Sequence, residues 1–202
     1  MRFPWQKKTK EIDEDAIPDF WAWFYMNAGA VKDAMGGLEP GEELRRRLAK
    51  IHPGLMWGIS KESDTWRLEI SADGNHENVA AVMRTVNAAP PIEGWSVVAF
   101  RQPIADFRLS LGSQEVTPET VKWLEMGERP GNLDIAVYVP YPDAKAVREI
   151  EQIGSLAIDH VLGEFNAMTK IGGVDFQHAS LAVPEALPLS ALPDRIAKLT
   201  PA

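Results

Sequence analysis

The sequence predicts an α+β fold, a predominantly antiparallel sheet with helices packed on one face. Two observations carry this. Segments whose apolar residues alternate with a period of two are interleaved with segments of helical period, in the order strand, strand, helix, strand, and the second half loosely repeats that order. Hydrophobic residues make up 45% of the 202 positions, enough to fill one core. A single domain over residues 1–202 is therefore expected, with 1–103 and 104–202 as the subdomains the loose β-β-α-β repeat would define. Residues 1–16, basic at Lys7, Lys8 and Lys10 and then acidic at Glu11 to Asp15, read as a flexible tail.

Taken in order, the first helix is expected after Pro18, with Asp19 as its N-cap. Phe20, Phe24, Ala28, Val31 and Met35 form its stripe, and Gly36 and Gly37 stop it. Trp21, Trp23 and Tyr25 extend its apolar surface almost all round. A second helix from Gly41 to Ile51 places Leu44, Leu48 and Ile51 on one side and ends before Pro53. Leu55, Trp57 and Ile59, then Trp66, Leu68 and Ile70 after a polar turn, read as a hairpin. Asp73, Gly74 and Asn75 open a helix with Val79, Val82, Met83 and Val86 as its stripe, and Trp95, Val97 and Ala99 return as a strand.

In the second half a strand is expected over Phe107 to Leu111. A hairpin pairs Val121–Met126 with Leu133–Val139 through a turn at Pro130 and Gly131, although Thr117 and Pro118 could open a short helix instead. A long helix from Asp143 and a strand from Val174 to Val183 follow. Pro184, Pro188 and Pro193 punctuate the last segment, which ends in a short helix near Arg195 to Leu199. No sequence identity between the halves supports a true duplication.

Composition narrows the chemistry. The formal charge of −8 opposes nucleic acid and anionic membranes unless bases gather on one face. Arg45, Arg46, Arg47 and Lys50 are the best such gathering, but Glu42 and Glu43 precede them as in a solvated helix that complements its own dipole. No cysteine is present, which removes disulfides, thiol nucleophiles and thiolate metal sites. With no secretory h-region and no apolar run long enough to span a bilayer, a soluble, cytoplasmic protein is expected. Neither double glycine sits in a phosphate-cradling motif, so no cofactor is expected.

The chemistry-bearing stretch is Asp143 to Val183. At helical spacing His160 and Glu164 fall one turn apart inside the apolar arc of Val147, Ile150, Ile153, Ala157, Val161 and Phe165, whereas Asp159 lies on the polar side. His178 shares a strand face with Val174 and Phe176. If these faces pack together, His160, Glu164 and His178 form either a three-ligand metal site or a histidine general base oriented by a carboxylate. A buried structural His160–Glu164 pair explains the same pattern without chemistry, and Gly163 could fray the helix there. Arg101 and Arg108 could hold an anion, or pair with Glu69 or Asp106.

No catalytic set is assembled, and aromatic surface is in excess. The leading expectation is a non-catalytic interaction or regulatory module using Trp21, Trp23 and Tyr25 toward a protein partner or a second copy. A metal-dependent or histidine-base hydrolase comes second. A small-molecule binder with a pocket between sheet and helix comes third.

Overall fold

The computed structural model describes residues 11–33, 39–111 and 114–200. Residues 1–10 of the expected tail, with Met35, Gly36 and Gly37 of the expected first-helix stop, lie outside them. The fold is α+β, with six α-helices and three mostly antiparallel sheets among the described residues. The chain divides into two compact units, 1–100 and 101–202.

The first unit opens with helix α1 (Ala16–Asp33), which starts four residues earlier than a cap at Asp19 would allow. Asp13 accepts the Ala16 N–H on its side chain at 3.3 Å. Pro18 therefore lies inside the first turn, where an amide has no helical partner to lose. Phe20, Trp21, Phe24, Ala28 and Val31 are buried. Helix α2 (Glu39–Ile51) packs on α1 and seals Leu44, Leu48 and Ile51 from solvent.

Strands β1 (Met56–Glu62) and β2 (Thr65–Ser71) form the expected hairpin. Helix α3 (Val79–Asn87) then carries the chain to β3 (Trp95–Ala99), which lies parallel to β2. The buried side of α3 is Ala81, Val82 and Thr85, so the expected stripe is rotated and Met83 is exposed. The cause is polar satisfaction. Thr85 Oγ1 donates to the Ala81 carbonyl at 2.8 Å, and the Asn78 amide donates to the carbonyls of Gly54 and Ala72, so both side chains can face inward.

The second unit begins with a small hairpin, β4 (Leu109–Leu111) and β5 (Gln114–Val116), the latter not expected from the sequence. Residues 117–120 form a turn rather than a helix, and β6 (Lys122–Arg129) pairs with β7 (Asn132–Val139). Pro130 and Gly131 make the two-residue connection, in which Gly131 takes φ 78° where a side chain would be strained. Helix α4 (Val147–Leu162) and the short α5 (Glu164–Lys170) lead to β8 (Ile171–His178), parallel to β7. The two-residue β9 (Leu187–Pro188) and helix α6 (Leu192–Ile196) complete the unit, whose sheet order is β8-β7-β6-β9.

The long helix is thus two. Gly163 sits between them at φ 75°, a conformation that breaks a helix and favours glycine. Phe165, expected on the apolar arc, is 47% exposed as a result. The core beneath joins Trp123, Leu133, Ile135, Val137, Ile150, Ile158 and Leu189. Gly154 lets α4 press onto β8, since a Cβ there would collide with the Phe176 ring.

Candidate functional site

Glu164 is fully buried, but it opens α5 instead of continuing α4. Its Oε2 accepts the Arg101 N–H at 3.0 Å, and its own N–H donates to the Arg101 carbonyl at 2.9 Å. The Arg101 guanidinium lies 3.8 Å from the same carboxylate and donates to Asp159 at 2.8 Å. Asp159, expected on the solvent side, is therefore half of an inward ion pair. The Ile104 N–H donates to the His160 carbonyl at 2.6 Å, so residues 101–104 are tied to the α4–α5 junction by main-chain bonds.

The His160 ring is half-buried with its centroid 5.2 Å from that of Phe107. Burial lowers its proton affinity below the ordinary histidine value, and the Arg101 charge adds to the effect. His178 is engaged elsewhere. Its Nδ1 accepts the Ser180 N–H at 3.2 Å, which places the ring proton on Nε2, and Nε2 donates to the Tyr141 carbonyl at 2.8 Å. Among the described residues no group of three His, Cys, Asp or Glu is arranged to hold a metal ion, so His160, Glu164 and His178 do not form the ligand set that the alternation suggests.

The two arginines expected to hold an anion are each matched by a carboxylate. Arg101 takes Asp159, and Arg108 takes both oxygens of Glu115 at 3.2 Å, where the sequence pointed to Glu69 or Asp106. The three arginines of the basic run on α2 are each paired within their own helix. Arg45 pairs with Glu42, while Arg46 and Arg47 pair with Glu43, whose pKa falls to about 2, chiefly through the Arg46 hydrogen bond.

One cavity of about 470 Å³ opens between β6, β9 and α6, lined by Trp123, Leu187, Glu185, Asp194, Arg195 and Lys198 among others. The sequence places a pocket only between sheet and helix and names none of these residues as its lining. Arg195 is held charged by hydrogen bonds to Glu125 at 2.8 and 2.9 Å and to Glu128 at 2.6 Å.

The aromatic helix divides sharply. Trp21 is 3% exposed, and its indole N–H donates to the Thr85 carbonyl at 2.8 Å, so this residue fills the core and offers nothing to a partner. Trp23 is half-buried beneath the Arg47 guanidinium, 4.7 Å from its ring centroid. Tyr25 is 58% exposed and Met26, absent from the expected interface, is 79% exposed. Met26 was legible in the helical spacing. Ala22, Tyr25, Met26, Gly29 and Ala30 recur at three and four, opposite the buried Phe20, Phe24 and Ala28.

No helix among the described residues is long and apolar enough to cross a membrane. Compared with models of protein families, with curated proteins and with solved structures, the chain has no significant match.

Proposed function

We propose that the chain is a protein-interaction module whose docking surface is the outward face of α1, centred on Tyr25 and Met26 with Trp23 at its edge. One observation carries the reading. Between Ala22 and Ala30 every exposed residue of α1 is uncharged, and two of them are large. An apolar helix face turned to water is what a docking surface looks like before its partner arrives. The side chains suit the task, since tyrosine supplies rigid amphipathic contact and methionine adapts to the shape it meets.

The experiment compares tagged full-length chain with its Met26→Glu variant in pull-downs, with circular dichroism and melting of both. Wild type retains a partner that the variant loses, while the two melt alike because position 26 touches no core. Retention of every partner by a folded Met26→Glu protein overturns the proposal.

A further inference from the structure

We propose that Ser180 and His178 form a nucleophile–base dyad at the carboxyl ends of β7 and β8, acting on small carboxylic esters with apolar acyl groups. The outward face of α1 takes no part in it. The arrangement begins with the register of two parallel strands. His178 ends β8 opposite Val139 at the end of β7, and the chain beyond β7 brings the Tyr141 carbonyl to 2.8 Å from the His178 Nε2. A carbonyl oxygen can only accept, so Nε2 carries the ring proton and Nδ1 keeps its lone pair. The Ser180 Oγ stands 2.8 Å from that nitrogen and donates to it. Nucleophile, base and a third group that orients the base are thus joined by hydrogen bonds, the relation that activates a serine hydroxyl.

Capping alone does not account for the pair. Nδ1 caps the turn Ala179–Leu181 by accepting the Ser180 N–H at 3.2 Å, an N–H that any residue but proline would offer there, so the cap leaves the hydroxyl unexplained. Helical turns are ordinarily capped by an oxygen of serine, threonine, aspartate or asparagine, and need no imidazole. Exposure fits the chemistry. Ser180 is open to solvent, whereas the half-buried His178 ring is held at both nitrogens. Leu181 and Val183, 62% and 39% exposed, follow the serine and offer apolar surface to an acyl chain. In the first step Oγ bonds to the ester carbonyl carbon as its proton passes to Nδ1. Collapse of the tetrahedral adduct breaks the bond to the leaving oxygen, which takes the proton from Nδ1 and departs as the alcohol. Water then attacks the acyl-serine, its proton passing through Nδ1 to the departing Oγ, and the carboxylic acid is released. The orienting group sets the substrate class. A carbonyl dipole steadies the imidazolium less than a carboxylate would, so the dyad suits esters with good leaving groups and not amides.

The test treats the full chain with p-nitrophenyl butyrate and, separately, with a fluorophosphonate, and locates the modified residue by mass spectrometry. Both reagents modify Ser180. Ser180→Ala, a change at an exposed position, keeps the wild-type circular dichroism and loses both modifications. His178→Gln slows nitrophenol release by about a hundredfold or more, the worth of a general base. The absence of cysteine gives a second readout that does not depend on the His178 variant folding, because an introduced thiol is the only one. At neutral pH the thiol of Ser180→Cys, beside Nδ1, reacts with iodoacetamide about tenfold or more faster than that of Ser190→Cys, since the thiolate is the reacting form. Ser190 is likewise exposed, so access is matched. A folded wild type in which Ser180 stays unmodified, or a Ser180→Cys thiol that reacts no faster than the one at 190, overturns the dyad.

Discussion

At the scale of single residues the α4–α5 junction shows how a polar constellation can serve the fold. A fully buried carboxylate survives folding only if charge and hydrogen bonds replace its water, and Glu164 has the Arg101 N–H at 3.0 Å and the Arg101 guanidinium at 3.8 Å. Glu164→Ala leaves Arg101 and its amide facing a void, and urea unfolding should show a loss of roughly 3 kcal/mol. Glu164→Gln, which keeps an acceptor, should lose less. His160 supplies a separate test. Its folded proton affinity lies below the ordinary value of 6.5, with burial as the larger cause and Arg101 the smaller. Below that value the unfolded chain binds a proton that the folded chain resists. Stability attributable to His160 therefore falls as pH drops from 6.5 toward the lower folded value, and is flat above it. Urea midpoints of wild type and His160→Gln between about pH 7.5 and about pH 5 should converge on acidification if wild type starts the more stable, because only wild type carries this penalty. Parallel curves would show that the imidazole titrates alike in both states.

At the scale of elements, α1 and α4 make opposite uses of their faces. Trp21 is enclosed and hydrogen-bonded, so Trp21→Ala should cost about 4 kcal/mol in urea unfolding, the expected range for an aromatic core truncation. Tyr25→Ala, three-fifths exposed on the same helix, should stay within about 0.5 kcal/mol of wild type. Similar losses at both positions would mean that the outward face is covered in solution. On α4, Gly154→Ala pushes a methyl group into Phe176 and should cost about 1 to 3 kcal/mol, even though alanine favours a helix. The expected strands and helices were legible because their apolar residues kept a clean period. What was hidden has physical causes. Asn78 and Thr85 face inward with their hydrogen bonds satisfied, so polarity disguised the buried side of α3. Gly163 breaks a pattern whose spacing continues across it, and β5 and β9 are too short to show alternation. At the candidate site, sequence reading turned Glu164 inward and singled out Arg101 as a holder of anions, but could not join the two, which lie 63 residues apart and share no local motif.

At the scale of the whole molecule, the second of the two units carries its own sheet, helices and core. Residues 101–202 contain a four-stranded sheet, the α4 and α5 crossover and a core made entirely from within that range. Parallel pairing of β8 with β7 demands a crossover, and the chain between them supplies one without borrowing an element from residues 1–100. About a hundred residues can bury enough apolar surface to be stable alone. The fragment 101–202 should therefore fold by itself, and its sequence provides the reporter, because Trp123 is its sole tryptophan. In the folded unit Trp123 is 2% exposed, with its indole N–H donating to the Pro188 carbonyl at 3.1 Å. That environment predicts blue-shifted emission that moves to the red in one cooperative urea transition. It also predicts that Leu189→Ala, deep in the same core, lowers the midpoint by an amount corresponding to about 3 kcal/mol. Emission already red-shifted without denaturant, or a drift with no transition, would show that the second half needs the first to fold, and would restore the single domain expected over the whole chain.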